Sequence, residues 1–455
     1  MIYLNMKEEE ANYSVWEYIV RVLVLLLFIF CCFIFLENDS SPWAGFISSS
    51  IAFLCITIFA TLILLKESRW ILFFVRAYLV RLLIGLFHFL YFILPDYFET
   101  KGVTLPLADD FTSAFESICE IASAKKYLGL FHYEEVYWSH PEILNLMSYP
   151  FVFFGNYILN ITPLNSFMSV FTSINIYLIG KYIYNFDRKK LRFITIISAY
   201  FPLTLISSLF YRDVTGLAIM SIGMTLIMLS RKGIIQYVML IVGCYLFSLH
   251  RTIYPVVLLL SFFINHFLLL KNRVSARYQI FQFVVILPLV IILVFFSIVA
   301  GFSENQVYVE GGTSINFLGL PVKLVMGMIG PFPWTQYFTT GRLEYSYQFS
   351  DYLQGTFNVS IFFLLYYFRG SYFKKEQFNL LNITGLLLII VGLSTTYMHI
   401  SYVSTGVIFL LPWIANSINR YKLKEYYFIT FLALLFFSLI IVLFIGSLGF
   451  KDLWA

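Results

Sequence analysis

Long, unbroken runs of apolar residues recur along this chain, and they restrict its fold more than any other feature. Crossing the hydrocarbon core of a bilayer takes about 20 mostly apolar helical residues, and only helices or closed barrels satisfy the backbone there. The runs lack the alternation of barrel strands. Charged residues make up 12% of the 455 residues, about half the usual content. The sequence therefore predicts an all-α, polytopic integral membrane bundle. It excludes a cytosolic enzyme, a disordered chain and a secreted disulfide scaffold.

Thirteen segments satisfy the length requirement, and we expect about 13 transmembrane helices in one membrane domain over residues 1–455. Two weaker apolar stretches, 144–159 and 317–333, are interrupted by proline and glycine and are candidates for re-entrant or interfacial helices. The thirteen predicted spans are 18–36, 44–65, 70–94, 163–183, 193–211, 214–230, 234–249, 252–270, 279–300, 352–368, 379–396, 402–418 and 427–449.

Basic residues cluster in alternate loops, which predicts the orientation of the chain because cytoplasmic loops are enriched in lysine and arginine. Loop 95–143 carries nine acidic residues against three lysines. We therefore expect a cytoplasmic N-terminus, two large external segments at 95–162 and 301–351, and an external C-terminus. The acidic N-terminus is unlike a signal peptide, so the first run is interpreted as a retained span. The basic clusters lie at 66–69, 181–192, 231–232, 271–277, 369–375 and 420–424.

This topology places several polar residues, far apart in sequence, at one membrane face. A membrane enzyme acting on a lipid-linked substrate needs such a layer. Arginines bind phosphate or pyrophosphate, and a carboxylate or histidine takes the proton from an acceptor hydroxyl. The candidates are Asp109, Asp110, His140, Glu142, Arg212, Asp213, His250, Arg251, Arg342 and His399.

Each candidate also has a purely structural interpretation, and the sequence leaves both open. Arg212 and Asp213 can form a local ion pair, and His250 and Arg251 can be interfacial residues that reach toward water. The remaining alternatives are a helix N-cap for Asp109–Asp110, a turn at His140–Pro141, a buried histidine at 399 and a solvated Arg342. Within the third span, Arg76 is interpreted as a cytoplasmic residue and the role of Arg81 stays open.

Other signals are missing from the sequence. It contains no P-loop, no dinucleotide-binding glycine pattern and no zinc-protease motif. The five cysteines show no metal-ligand spacing, so a disulfide or zinc framework is not expected. We predict no metal site and no cofactor, and we expect no nucleic-acid partner.

Several segments of the sequence carry a family resemblance. Residues 200–213 (YFPLTLISSLFYRD) and 249–252 (LHRT) resemble segments of bacterial EpsG-like and Wzy-type repeat-unit polymerases. Residues 330–334 (GPFPW) are similar to a segment of membrane proteins from capsule and O-antigen clusters. Asp109–Asp110, His140–Pro141–Glu142 and Phe154–Gly155 also resemble the first external loop of GT-C glycosyltransferases. Glu142 stands where that family has a second proline.

The resemblance implies a GT-C-like fold and synthesis of a bacterial surface polysaccharide, O-antigen or capsule, at the outer face of the cytoplasmic (inner) membrane. The implied substrate is an undecaprenyl-pyrophosphate-linked oligosaccharide, with membrane lipid, a flippase and a chain-length regulator as further partners. In the implied roles, Arg212 and Arg251 bind pyrophosphate and Asp109 or Asp110 activates the acceptor, with His140 and His250 as rival bases. Asp213, His250 and Arg342 complete the binding residues.

Three alternatives to a polymerase remain at this level. A GT-C transferase would add a single sugar from a polyprenyl-phosphate donor. A polysaccharide flippase or other transporter would have a water-filled cavity through the bundle. A structural partner in the export machinery would tolerate substitution of the external arginines.

Overall fold

The structure is a computed structural model, and it describes residues 13–38, 41–90, 109–134, 136, 141–200, 212–230, 233–251, 253–270, 379–394 and 400–417. All regular secondary structure in these residues is helical. The α-helices are α1 (Val15–Phe35), α2 (Pro42–Leu65), α3 (Ile71–His88), α4 (Asp109–Leu128), α5 (Pro141–Met147), α6 (Tyr149–Phe154), α7 (Ile161–Tyr182), α8 (Arg188–Ala199), α9 (Arg212–Leu229), α10 (Ile234–Ser248), α11 (Tyr254–Leu270), α12 (Leu380–Ser394) and α13 (Ile400–Ser417).

Local sequence sets where several helices begin. Ser14 caps α1 by accepting a hydrogen bond from the Glu17 amide, and Ser followed three residues later by Glu is the capping-box pattern. Ser41 caps α2 in the same way, with Pro42 in the first turn, where a proline costs no hydrogen bond. Asp187 caps α8. Short polar residues between the apolar runs therefore decide the helix boundaries.

Helix α7 lies at the centre of the described bundle and packs against α2, α3, α8 and α9. It is buried over nearly its whole length although it is rich in serine, threonine and asparagine. Its polar side chains bind neighbouring helices: Asn165 accepts from Thr215 on α9, and Asn175 accepts from Tyr18 on α1 and donates to Ser221 on α9. Such interhelical hydrogen bonds hold helices together where apolar burial discriminates poorly between partners.

One end of the bundle, which we call the basic end, gathers residues 13–21, 63–70 and 177–190. Glu67 accepts from Lys181 at 2.6 Å and pairs with Arg69 at 2.5 Å. Glu17 pairs with Arg21 at 2.6 Å and with Lys66. Partial burial opposes ionisation of Glu67, but hydrogen bonds from Lys181, Arg69 and Tyr177 lower the pKa of this carboxyl. The basic end is therefore tied together by close ion pairs.

The opposite end, which we call the loop end, contains the start of α2, the segment 149–160 and the start of α7. Helix α6 stops at Gly155, whose positive φ of 89° suits glycine. The carbonyls left open there accept hydrogen bonds from the Asn38 amide and the Asn160 side chain. Gly45 of α2 lies so close to the Phe154 carbonyl that a Cβ would overlap it. The short α6 is thus fixed directly to α2.

Two described helices, α1 and α2, are long and apolar enough to cross a membrane. Shorter apolar helices lie within α9 to α13, at the positions of predicted spans 214–230 to 252–270, 379–396 and 402–418. The predicted span 193–211 differs from α8, which starts earlier at its Asp187 cap and ends at Ala199; residues 201–211 lie outside the described residues. The predicted spans 279–300, 352–368 and 427–449 and the external segment 301–351 also lie outside them.

Candidate functional site

Three of the candidate residues meet at the loop end. Asp213 stands in the first turn of α9, while His250 and Arg251 follow the end of α10. The Asp213 Oδ1 atom lies 3.7 Å from His250 Nε2 and 3.6 Å from an Arg251 Nη atom. The carboxylate therefore faces one histidine and one arginine that are 37 and 38 positions away in sequence.

The backbone that carries His250 and Arg251 turns sharply after α10. The amides of both residues donate to the Phe247 carbonyl, and the Tyr254 amide donates to the Arg251 carbonyl at the start of α11. The connection between α10 and α11 is thus a tight, hydrogen-bonded turn. It presents two consecutive side chains toward the start of α9.

Gly216 makes room for the histidine. A Cβ placed on Gly216 would overlap the His250 imidazole ring, so any larger residue at 216 would displace the ring. The imidazole also meets the Tyr254 ring edge-on, with 5.2 Å between centroids. Contacts with both α9 and α11 therefore set its position.

The three side chains of the cluster differ in their exposure to solvent. His250 is 1% exposed and the Asp213 side chain 8% exposed, whereas the Arg251 side chain keeps 20% of its surface accessible. Among the three, Arg251 is the group best placed to meet a ligand. The Asp213 carboxylate lies beside the Arg251 guanidinium, where the attraction between opposite charges can orient the arginine.

Helix α5 packs against α9, and this brings part of the first predicted external loop beside the helix that carries Asp213. Glu142 lies in the exposed first turn of α5. Helix α9 therefore contacts α5 and, through Asp213, the turn that carries His250 and Arg251.

Several predicted site residues can be placed only in part. Asp109 and Asp110 are the first residues of α4, and Arg212 is the first residue of α9, but their side chains lie outside the described residues. His140, Arg342 and His399 lie outside them altogether. A role for these six residues stays a prediction.

The two arginines of the third predicted span face different environments. Arg76 is exposed, whereas Arg81 is completely buried, in keeping with the roughly 140° that five residues subtend on a helix. Arg81 donates a hydrogen bond to the carbonyl of Ala199, the last residue of α8. A helix C-terminus attracts a cation, so α8 supplies the partner that a buried arginine requires.

A second buried cation, Lys125 on α4, was not among the sequence candidates. Its Nζ atom donates to the Asn145 carbonyl at 2.5 Å and to Ser148 Oγ at 2.9 Å, and it lies 4.1 Å from the centroid of the Tyr149 ring. Burial lowers the pKa of this amine to about 8. The sequence contained one signal for the burial of Lys125. This residue lies at helical spacing from Ile118, Ile121 and Ala122, which form a buried stripe on α4.

Comparisons with known proteins identify no family for this chain: no family model, curated protein or solved structure matches it. Within the described ranges, no group of three or more histidine, cysteine or acidic residues is arranged to hold a metal ion.

Proposed function

We propose that this protein is a polytopic, GT-C-like enzyme of the bacterial cytoplasmic membrane that polymerises lipid-linked oligosaccharide repeat units into a surface polysaccharide. The reaction takes place at the loop end, which faces outward, and the N-terminus is cytoplasmic. The substrate is an undecaprenyl-pyrophosphate-linked glycan, drawn from the surrounding lipid. No metal or organic cofactor is part of the proposal.

The observation that carries this proposal is the meeting of Asp213, His250 and Arg251 from two distant segments. The residues belong to the two segments, 200–213 and 249–252, that resemble the polymerases. An arginine oriented by a buried carboxylate is well suited to bidentate contact with phosphate oxygens. The placement of α5 against α9 supports the same site, because it brings part of the first loop against the helix that carries Asp213.

In the reaction, the glycan's anomeric carbon breaks its bond to the pyrophosphate oxygen and forms a bond to a hydroxyl oxygen of a new lipid-linked repeat unit. The hydroxyl proton passes to a base, and undecaprenyl pyrophosphate leaves. Arg251, with Arg212, stabilises the charge on the departing pyrophosphate. Asp213 and His250 hold Arg251 in position.

The proposed base comes from the first external loop. Asp109 or Asp110 at the start of α4 activates the acceptor hydroxyl, and His140 is the rival. His250 is a weaker candidate than the sequence suggested, because its side chain is 1% exposed and a base must reach the hydroxyl proton. Arg342, which lies outside the described residues, is assigned to glycan binding by the resemblance alone.

Lipid-linked glycans separated on a gel test the proposal. Cells lacking the protein should accumulate a single repeat unit on lipid and lose the ladder of longer chains. Arg251→Ala should reproduce this with normal protein abundance, at a rate about 10²–10³-fold lower. Arg251→Lys should also fail, because lysine cannot make the bidentate contact. Arg76→Ala, which removes an exposed arginine from α3, is the matched control and should keep the ladder.

Other outcomes would assign other functions. A truncated repeat unit in the deletion strain would indicate a single-sugar transferase. Complete units trapped at the cytoplasmic face would indicate a flippase. A full ladder in Arg251→Ala would remove the cluster from the reaction.

A further inference from the structure

The end of α4 carries a group of exposed apolar side chains that the proposed reaction does not use. We call residues 126–133 the aromatic tip. Phe131 is 92% exposed, Tyr127 89%, Leu128 66% and Tyr133 47%. Single exposed apolar residues are ordinary on proteins, but four within seven positions form a patch that usually marks an interaction surface.

The aromatic tip is held in a defined conformation. Gly129, at a φ of 110°, ends α4, and its amide donates to the Lys125 carbonyl, while the His132 amide donates to the Gly129 carbonyl. Tyr149 of α6 donates its hydroxyl hydrogen to the Leu130 carbonyl. The Lys125 side chain, bound to the Asn145 carbonyl and Ser148, fixes the base of the tip to the α5–α6 region. The exposed rings are therefore presented by a folded support.

That support lies at the level where α1 ends. Phe33, two residues before the end of α1, packs against Phe153 and Phe154 of α6, with ring centroids 5.2 and 5.3 Å apart. Helix α6 has six residues and so measures about 8 Å from end to end. Its first residue, Tyr149, holds the aromatic tip. If α1 crosses the bilayer, its end marks the edge of the hydrocarbon core, and the interfacial layer extends about 5–8 Å beyond it.

The composition of the aromatic tip suits this layer. Tyrosine places an apolar ring at headgroup level with its hydroxyl in water, and the exposed Lys126 can meet lipid phosphate. Exposed Leu128 favours lipid over a glycan, because sugars stack on flat aromatic faces. Phe35 at the end of α1 and Trp43 at the start of α2 are also exposed at the loop end, as expected of residues near a membrane interface.

We propose that the aromatic tip, residues 126–133, is a membrane-interface anchor that inserts Tyr127, Leu128 and Phe131 into the outer headgroup region and so holds the first external loop against the bilayer. The anchor rests on the membrane placement in the proposed function. It keeps α4 and α5 beside the bilayer, where a lipid-linked substrate arrives.

Spin-label accessibility in the full chain tests the anchor. The five native cysteines are first replaced by alanine, and Phe131→Cys then introduces a single cysteine that is labelled with a nitroxide. The labelled protein is reconstituted in vesicles of phosphatidylglycerol and phosphatidylethanolamine. Relaxation is measured with oxygen, which concentrates in lipid, and with a water-soluble nickel chelate. Leu27→Cys, exposed on the middle of α1, is the lipid control, and Glu142→Cys, exposed on α5, is the water control. Leu128→Cys repeats the measurement at a second tip position.

If the anchor is correct, the ratio of accessibility to oxygen over accessibility to nickel at positions 131 and 128 should be several-fold higher than at position 142. It should approach the ratio at position 27. A ratio at 131 equal to that at 142, with a lipid value at 27, overturns the anchor and leaves the membrane bundle intact. Low accessibility to both reagents at 131 would mean contact with protein, which also overturns it. A water value at 27 would overturn the membrane placement and the anchor together. Protection of a water-accessible 131 by lipid-linked glycan would reassign the tip as a sugar platform.

Discussion

The basic end and the loop end of the bundle hold their charged side chains at different separations. At the basic end, the ion pairs of Glu67 and that between Glu17 and Arg21 have separations of 2.5–2.6 Å. At the loop end, Asp213 lies 3.6–3.7 Å from Arg251 and His250, beyond hydrogen-bonding distance. Close pairs stabilise a fold, whereas charges held apart at a partly accessible site suit contact with a ligand. The difference is consistent with a structural role for the basic end and with the binding role proposed for the loop end.

The largest difference between the two ends is expected when a glycine at each end is replaced by alanine. Gly216→Ala forces the His250 ring away from α9, and we expect elongation to fall about 100-fold, as a displacement near 1 Å can cost. At the basic end, Gly180→Ala meets the flexible end of Ile194, which can move. The lipid-linked ladder should disappear in the first variant and persist in the second, with both proteins present in the membrane. Equal ladders would contradict the importance of the His250 position.

Replacing the Asp213 carboxylate should change turnover and stability by different amounts. Asp213→Asn keeps the shape but removes the charge that orients Arg251, and we expect about tenfold slower elongation, or about 1.4 kcal/mol of lost transition-state stabilisation. The melting temperature should change little, because the Arg251 side chain keeps 20% of its surface accessible and water can solvate its charge. Turnover of purified lipid-linked substrate and thermal unfolding of the same preparation check both statements. A lower melting temperature at unchanged turnover would assign Asp213 to the structure instead.

The corresponding change at the basic end should give the opposite result. Glu67→Gln weakens the hydrogen bonds from Lys181, Arg69 and Tyr177, and we expect a loss of about 1–3 kcal/mol in stability. The polysaccharide ladder should remain. Glu37→Gln, an exposed carboxylate at the loop end, is the control and should change stability by less than about 0.5 kcal/mol. Unfolding in a detergent series measures the two variants against the parent protein.

The smallest expected effect concerns the pH dependence of stability through Lys125. Burial lowers the pKa of Lys125 to about 8 from an ordinary value of 10.5. Between these values the unfolded chain binds a proton that the folded protein does not, so stability rises with pH across this window. Lys125→Met should remove that rise, and Lys126→Met, its exposed neighbour, should keep it. Melting temperatures at pH 7.5 and 9.5 provide the measurement, and equal slopes in both variants would contradict the assignment.

Much of the helical pattern could be predicted from the chain alone. The predicted spans 44–65 and 163–183 agree with α2 and α7 within two residues at each end, because capping residues and apolar runs are local signals. The span 193–211 was predicted less well, since its apolar run does not begin where the Asp187 cap starts α8. Alternating loops predicted only that Asp213, His250 and Arg251 share one membrane face. The structure adds the distances of 3.7 and 3.6 Å from Asp213 to His250 and Arg251.

The sequence by itself determined the helical class and which segments share an end of the bundle, because apolar length and loop charge are properties of short stretches. Only the tertiary structure decided which side chains touch. It showed that Arg81 is buried against the end of α8, that Gly216 makes room for His250, and that Lys125 supports the aromatic tip. These contacts depend on how helices distant in sequence rotate and pack against each other, and no local pattern records that rotation.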